Sequence, residues 1–177
     1  RLLLRAAGHD HHLTFIRDPL MHDLVAEIGL DVQAYQPVIV LLDGEYWGIH
    51  NLRESVDGHY LAAHYPGVDP HNVDILEGHT GVNEGSADHY LDMIDFLTRS
   101  DIRRADVYAH VRTLMDVENF TDYKIAEIFY YRWDIGNIKY WRPHTPEGRW
   151  RWILFDTDVG FGGFANLNFA ATAASRN

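Results

Sequence analysis

An α+β fold is predicted by three features of the chain: an Asp43-Gly44 turn between two apolar runs, a series of helically spaced apolar segments between residues 57 and 130, and short strand-like runs at 138–141 and 150–155. Together they place a small sheet-containing part first and a mainly helical part after it. At 177 residues, 46% hydrophobic and 13% aromatic, the chain can bury a sizeable core and is expected to form a single domain. No internal repeat or low-complexity linker interrupts it.

Asp18 before Pro19 reads as an N-cap with proline at the first helical position, and Leu20, Met21, Leu24, Val25 and Ile28 form one apolar stripe that Gly29 ends. This helix is expected to pack on the first sheet. Pro37 to Leu42 and Tyr46 to His50 flank Asp43-Gly44, so residues 37–54 are predicted to form an antiparallel hairpin. Beyond it the chain should be mostly helical up to residue 134, with helices near 57–65, 87–99, 103–115 and 117–130. Asp116 should cap the last of these, with Phe120, Ile125, Ile128 and Phe129 facing the core. Gly78 to Gly85 reads as a glycine-rich surface loop without chemistry. Core packing is the default for most of Trp47, Trp133, Trp141, Trp150 and Trp152, and the alternation of Trp150 and Trp152 with Arg151 gives a strand with one aromatic and one basic face.

A formal net charge of −11 argues against nucleic acid or an anionic membrane as partner and favours a basic protein substrate. With 0 cysteines, disulfides, thiolate catalysis and Cys-ligated zinc are excluded. No run reaches the roughly 18 apolar residues of a membrane span, and no signal peptide is visible. The chain opens at Arg1, inside the apolar segment Leu2-Leu3-Leu4, and is expected to be a fragment.

The chemistry concentrates near the end. An apolar run, Trp152-Ile153-Leu154-Phe155, delivers Asp156 and Asp158 into a turn carrying Gly160 and Gly162. Two acids spaced by two share a face of an extended backbone, where clustered carboxylate oxygens suit Mg²⁺ or Ca²⁺ and the glycines admit phosphate. Two acids capping a turn is the simpler alternative. Upstream lies Asp134-Ile135-Gly136-Asn137, where Asp134 serves either an Asx turn or a reacting hydroxyl, and Asn137 can offer a neutral oxygen to a metal. An acid, an Asn, a short hairpin and then Asp-x-Asp-x-Gly-Phe-Gly is the order used by phosphoryl-transfer enzymes of the protein-kinase type. Here Asn follows Asp at three residues, where the usual kinase loop has five.

Four stretches carry a closer likeness: Phe15-Ile16-Arg17-Asp18; Leu42-Asp43-Gly44-Glu45-Tyr46-Trp47-Gly48-Ile49-His50-Asn51-Leu52-Arg53-Glu54; Asp134-Ile135-Gly136-Asn137-Ile138-Lys139-Tyr140-Trp141-Arg142; and Trp150 to Gly162. In order and wording the chain resembles the CotH kinases, atypical members of the protein-kinase-like superfamily named after a spore-coat protein. The resemblance implies an N-terminal lobe truncated to a short sheet plus helix and hinge over residues 1–54, and a mainly helical C-terminal lobe over 55–177 with the catalytic and metal motifs. The missing start would include a lysine-bearing, nucleotide-covering hairpin. It further implies Mg²⁺-dependent transfer of the γ-phosphoryl of ATP to protein Ser or Thr, with Mn²⁺ or Ca²⁺ as alternative ions.

In that scheme Asp134 orients or deprotonates the hydroxyl, Asn137 and Asp158 hold the metal, and Asp156 supports it. Gly160 and Gly162 border the phosphates, and Arg53 and Glu54 fall at the nucleotide-contacting hinge, their plainer alternative being an exposed ion pair. Spore coat, cell surface and secretion are the locations the family suggests. A catalytically silent binding module and a metal-dependent phosphohydrolase are the competing functions. The His9-Asp10-His11-His12 run could bind zinc, but no second ligand set is spaced for it among the 12 histidines, so a solvated loop shaped by Gly8 and Asp10 is expected.

Overall fold

The computed structural model describes residues 1–132, 134 and 136–161. It is an α+β structure of two small antiparallel sheets and, among the described residues, five α-helices. The first sheet has the order β1-β3-β2, with β1 at Leu2–Arg5, β2 at Tyr35–Leu42 and β3 at Glu45–Glu54. The hairpin forms as expected. Its two turn residues, Asp43 and Gly44, take φ of 52° and 87°, the left-handed pair that matches strand twist. A register shift at Val40/Leu41 interrupts the inward-outward alternation, and the hairpin tip exposes Ile39, Leu41, Leu42, Tyr46, Trp47 and Ile49.

Helix α1, Arg17–Ala26, corrects two expectations. Asp18 does not cap it: the helix starts two residues earlier, after Ile16, which makes no side-chain cap bond, and the Asp18 carboxylate turns inward. The apolar stripe also splits, with Met21 and Val25 buried while Leu20, Leu24 and Ile28 are exposed. The buried face is Asp18, Met21, His22 and Val25, still i, i+3, i+4 and i+7 but half polar, so counting apolar residues alone rotates it wrongly.

The second sheet, β5-β4-β6-β7, is built from β4 at Val73–Glu77, β5 at Gly81–Glu84, β6 at Lys139–Pro143 and β7 at Arg151–Ile153. Strands β4 and β5 interrupt the mostly helical stretch after residue 54, and β5 corrects the expectation of a loop over Gly78 to Gly85. Val73 to Leu76 are buried, Asp74 included, so no alternating pattern marks the strand. Gly85, at φ 73°, lies so close to Val73 and Asp74 that a Cβ there would collide with them.

Helices α2 (Gly58–His64), α3 (Asp88–Arg99), α4 (Ala105–Leu114) and α5 (Val117–Phe129) fall where their spacing predicts. Asp57 caps α2 through the Tyr60 N–H, and Asp116 caps α5 through the Asn119 N–H. On α5 the buried face is Asn119, Tyr123, Ala126 and Glu127; Ile125 and Phe129, expected inside, are exposed.

The main core lies on one face of the second sheet, where Leu76, Tyr140, Trp150 and Trp152 meet Met93, Val111, Tyr123, Ala126 and Tyr130, with Met21 and Val25 joining from α1. Tyr60, Leu61, Ile75, Trp141 and Ile153 form a smaller cluster on the opposite face. Trp141, Trp150 and Trp152 are thus packing residues, and Trp47 is 64% exposed. Trp133 lies outside the described residues. Arg151, on the other face from Trp150 and Trp152, donates to Asp31 and Asp116. Among the described residues no helix is long and apolar enough to cross a membrane.

Candidate active site

Strand β7 ends at Ile153, and the chain continues through buried Leu154 to Asp156, whose φ of 52° breaks the extended path. Asp156 and Asp158 therefore converge through a kink and a shared partner, which corrects the expectation that strand alternation aligns them. The partner is Arg5, at the end of β1. Its Nη2 donates to Asp156 Oδ1 and, at 3.0 Å, to Asp158 Oδ2.

On the far side of Asp156 stands Asn137, whose Nδ2 donates to Asp156 Oδ2 and to Asp134 Oδ2, both at 2.8 Å. Asp134, Asn137, Asp156, Arg5 and Asp158 thus form one continuous chain of hydrogen bonds drawn from three segments. The four polar residues expected to share a cleft are brought together.

Asp158 is 3% exposed. The His9 backbone N–H donates to its Oδ2 at 2.9 Å, and the exposed His9 imidazole lies 3.5 Å from Oδ1. Gly8, at φ 53°, permits this approach, because a Cβ there would fall on the Asp158 carboxylate. Asp10, 1% exposed, accepts from Thr14 N (3.1 Å), Thr14 Oγ1 (2.6 Å) and Arg17 N (3.0 Å) and so ties the 3₁₀ turn Gly8–Asp10 to α1. Burial works against its charge, but the Thr14 and Arg17 hydrogen bonds outweigh it and hold its pKa below the ordinary carboxylate value. Gly8 and Asp10 therefore shape a loop, as expected, and among the described residues no group of three His, Asp or Glu side chains stands arranged around a metal position.

Beneath the acid cluster sits a second ionic centre. Asp18, 3% exposed, accepts from Thr157 N at 2.6 Å and Thr157 Oγ1 at 2.7 Å, pairs with Arg53, and lies 3.5 Å from both Arg5 Nη1 and His22 Nε2. Arg53 is 1% exposed, and burial, then the nearby Arg5, lowers its pKa to about 10. His22 is fully enclosed; burial first and Arg5 second lower its pKa to about 3, so it is neutral, with Nδ1 accepting from Gln33 N at 3.1 Å.

Arg53 is not half of an exposed pair with Glu54, because it is buried and pairs with Asp18 on α1. Glu54 instead accepts from Ala34 N and meets His64 at 2.9 Å, and belongs to no part of the acid cluster. Gly160 is buried where a Cβ would strike Met21, so its small size is explained by packing under the turn. Gly162 lies outside the described residues.

Arg5, Asp18 and Thr157 escape a reading of the sequence alone. A strand assignment for Leu2-Leu3-Leu4-Arg5 would have flagged the lone charge at its end. Asp18 carried a signal with a conventional meaning, the Asp-Pro cap, which hid its inward role.

Oxygen donors of the acid cluster are of the kind that hard cations take, and Asp134, Asp156 and Asp158 could supply negative charge to one. As arranged, the cation among them is the Arg5 guanidinium, and Asn137 turns its amide nitrogen, rather than its oxygen, to the carboxylates. A cavity of about 590 Å³ between α3, α4, α5 and the second sheet is lined by apolar groups such as Met93, Leu97, Val111 and Phe120 and shares no residue with this cluster.

No curated protein matches the chain. A family model described as CotH kinase protein matches residues 1–176, a span that takes in β1 with Arg5, α1 with Asp18 and both acid-bearing segments. The chain belongs to the CotH kinase protein family.

Proposed function

We propose that the chain is the catalytic part of an atypical protein kinase that transfers the γ-phosphoryl group of ATP to a Ser or Thr hydroxyl of a protein substrate. The observation that carries this reading is the unbroken hydrogen-bonded chain from Asp134 through Asn137 and Asp156 to Arg5 and Asp158. Family membership and the net charge of −11, which suits a basic substrate, support it.

In the reaction the hydroxyl oxygen forms a bond to the γ-phosphorus as the bond to the β,γ-bridging oxygen breaks. The hydroxyl proton passes to Asp134 and ADP leaves. Asp158 and Asp156 would hold a divalent ion, Mg²⁺ by preference, with Asn137 contributing once its amide oxygen faces inward. The ion, when bound, neutralises charge on the phosphates. Arg5 takes the part played in protein kinases by a strand-borne lysine, and Asp18 the part of the acid on the following helix; the order β1, α1, β2, β3 parallels that arrangement. On this reading residues 1–54 belong to an N-terminal lobe and residues 55–177 to a C-terminal lobe.

In the full-length protein, Asp158→Asn should abolish metal–nucleotide binding and phosphotransfer. Asp134→Asn should keep ATP binding while turnover falls about 10²-fold or more, the scale of a positioned proton acceptor. Transfer of label from γ-labelled ATP and calorimetric ATP titration separate the two. Full transfer by Asp134→Asn would sink the assignment, and release of labelled free phosphate in place of phosphoprotein would favour a phosphohydrolase.

A further inference from the structure

We propose that Arg5 makes the acid cluster selective, excluding free divalent ions and admitting a metal ion only when it arrives on a polyphosphate. The inference rests on the phosphotransfer reading and adds to it a residue that decides which form of the metal is bound.

One guanidinium serves three carboxylates. Its Nη2 contacts both Asp156 and Asp158, its Nη1 stands 3.5 Å from Asp18, and the side chain is only 23% exposed. Part of the negative charge that would attract a metal is thus already offset by a cation that touches both acids. Closing of the Gly8–His9 backbone over Asp158 adds a further donor to the same carboxylate.

A bare divalent ion entering here must sit beside a fixed positive charge or drive Arg5 away from both acids. Among the described residues the other acid that Arg5 contacts, Asp18, is already paired with buried Arg53 and bonded to Thr157, so displacement leaves a largely buried guanidinium short of partners. A polyphosphate changes that balance. It brings oxygens that match the two-pronged guanidinium, so Arg5 can exchange carboxylate for phosphate while Asp156 and Asp158 are released toward the metal. The arginine then couples the two arrivals.

The test measures binding of Mn²⁺ alone, by electron paramagnetic resonance of the free ion, and of Mn²⁺ with a non-hydrolysable ATP analogue, by calorimetry, in the full-length protein. The wild type should bind free Mn²⁺ at least tenfold more weakly than the Mn²⁺–analogue complex. Arg5→Gln should bind free Mn²⁺ about tenfold more tightly than the wild type and the complex about tenfold more weakly. Arg5→Lys, which keeps the charge and loses the fork, should still exclude free Mn²⁺. Free Mn²⁺ affinity unchanged or lowered in a folded Arg5→Gln protein overturns the inference. If Arg5→Gln does not fold, equal affinity of the wild type for Mn²⁺ alone and for the complex overturns it. Asp158→Asn separates the two layers of argument: loss of analogue binding in that variant upholds the site even where the Arg5 result fails, and retained binding removes the functional reading together with this inference.

Discussion

Both sheets are small and antiparallel, but they are held in place by different forces. In the second, Ile75, Leu76, Tyr140 and Ile153 have no exposure, and both faces are covered by apolar and aromatic side chains. In the first, the hairpin tip leaves six large apolar residues exposed, and the base is anchored through buried charge, with Arg53 of β3 and Arg5 of β1 meeting Asp18. Apolar contacts degrade gradually as groups are trimmed. A desolvated ion pair fails abruptly when one partner goes. The candidate site lies where the charged base of one sheet meets the chain leaving the other, so its acids inherit rigidity from the aromatic sheet and counter-charge from the hairpin sheet.

The largest expected effect breaks the ionic side of that contrast. Asp18→Asn keeps the shape of the side chain but leaves Arg53 buried without its counter-charge, and should destabilise the protein by about 3–5 kcal/mol in urea denaturation followed by tryptophan fluorescence. Replacing the pair by apolar groups, Asp18→Leu with Arg53→Met, should recover most of the loss while still weakening the site, because Thr157 loses its acceptor. A single substitution costing under about 1 kcal/mol would show that the base is not held by the pair.

A second effect uses pH. In the folded protein His22 has a pKa of about 3, so it stays neutral while the same residue in the unfolded chain takes a proton near its ordinary value of 6.5. A lowered histidine pKa costs stability on the acid side. Its contribution is constant above about pH 6.5 and falls by about 1.4 kcal/mol per unit as pH drops from there towards 3. Asp10, whose pKa is lowered, keeps its contribution above 3.8 and loses it only below, so the two can be told apart by where the loss begins. Proton–nitrogen correlation spectra of the imidazole should show Nδ1 of His22 unprotonated from pH 8 to 5. A titration midpoint near 6.5 would mean that this part of the molecule is far more open than the structure has it.

The same contrast explains what could be read in advance. The hairpin, three long helices and the Asp116 cap follow local rules, and all were legible. The four polar residues of the cluster were legible from motif order. Strand β4 was not, because a strand buried on both faces with an aspartate inside carries no alternation. The inward faces of α1 and α5 were misjudged because Asp18, His22, Asn119 and Glu127 occupy core positions that an apolar count assigns to Leu24, Ile125 or Phe129. Arg5 was missed since its role depends on partners 151 and 153 positions away. What local pattern misses here is long-range pairing of buried charge.

The smallest expected effect compares the sheets with one substitution made twice. Ile75 on β4 has 0% exposure and Ile39 on β2 has 69%. Removing one methylene by Ile→Val keeps the β-branch, so strand preference is nearly constant and the difference isolates burial. Ile75→Val should cost about 0.5–1.5 kcal/mol, since the surrounding core of Trp141 and Ile153 cannot fully close on the space. Ile39→Val should stay within about 0.5 kcal/mol, because its side chain faces solvent and its cross-strand neighbour Ile49 is itself half exposed. Equal costs in a urea midpoint measurement would contradict the exposure of the hairpin tip and place that surface against another part of the full-length protein; a near-zero cost at Ile75 would contradict the tight packing of the second sheet.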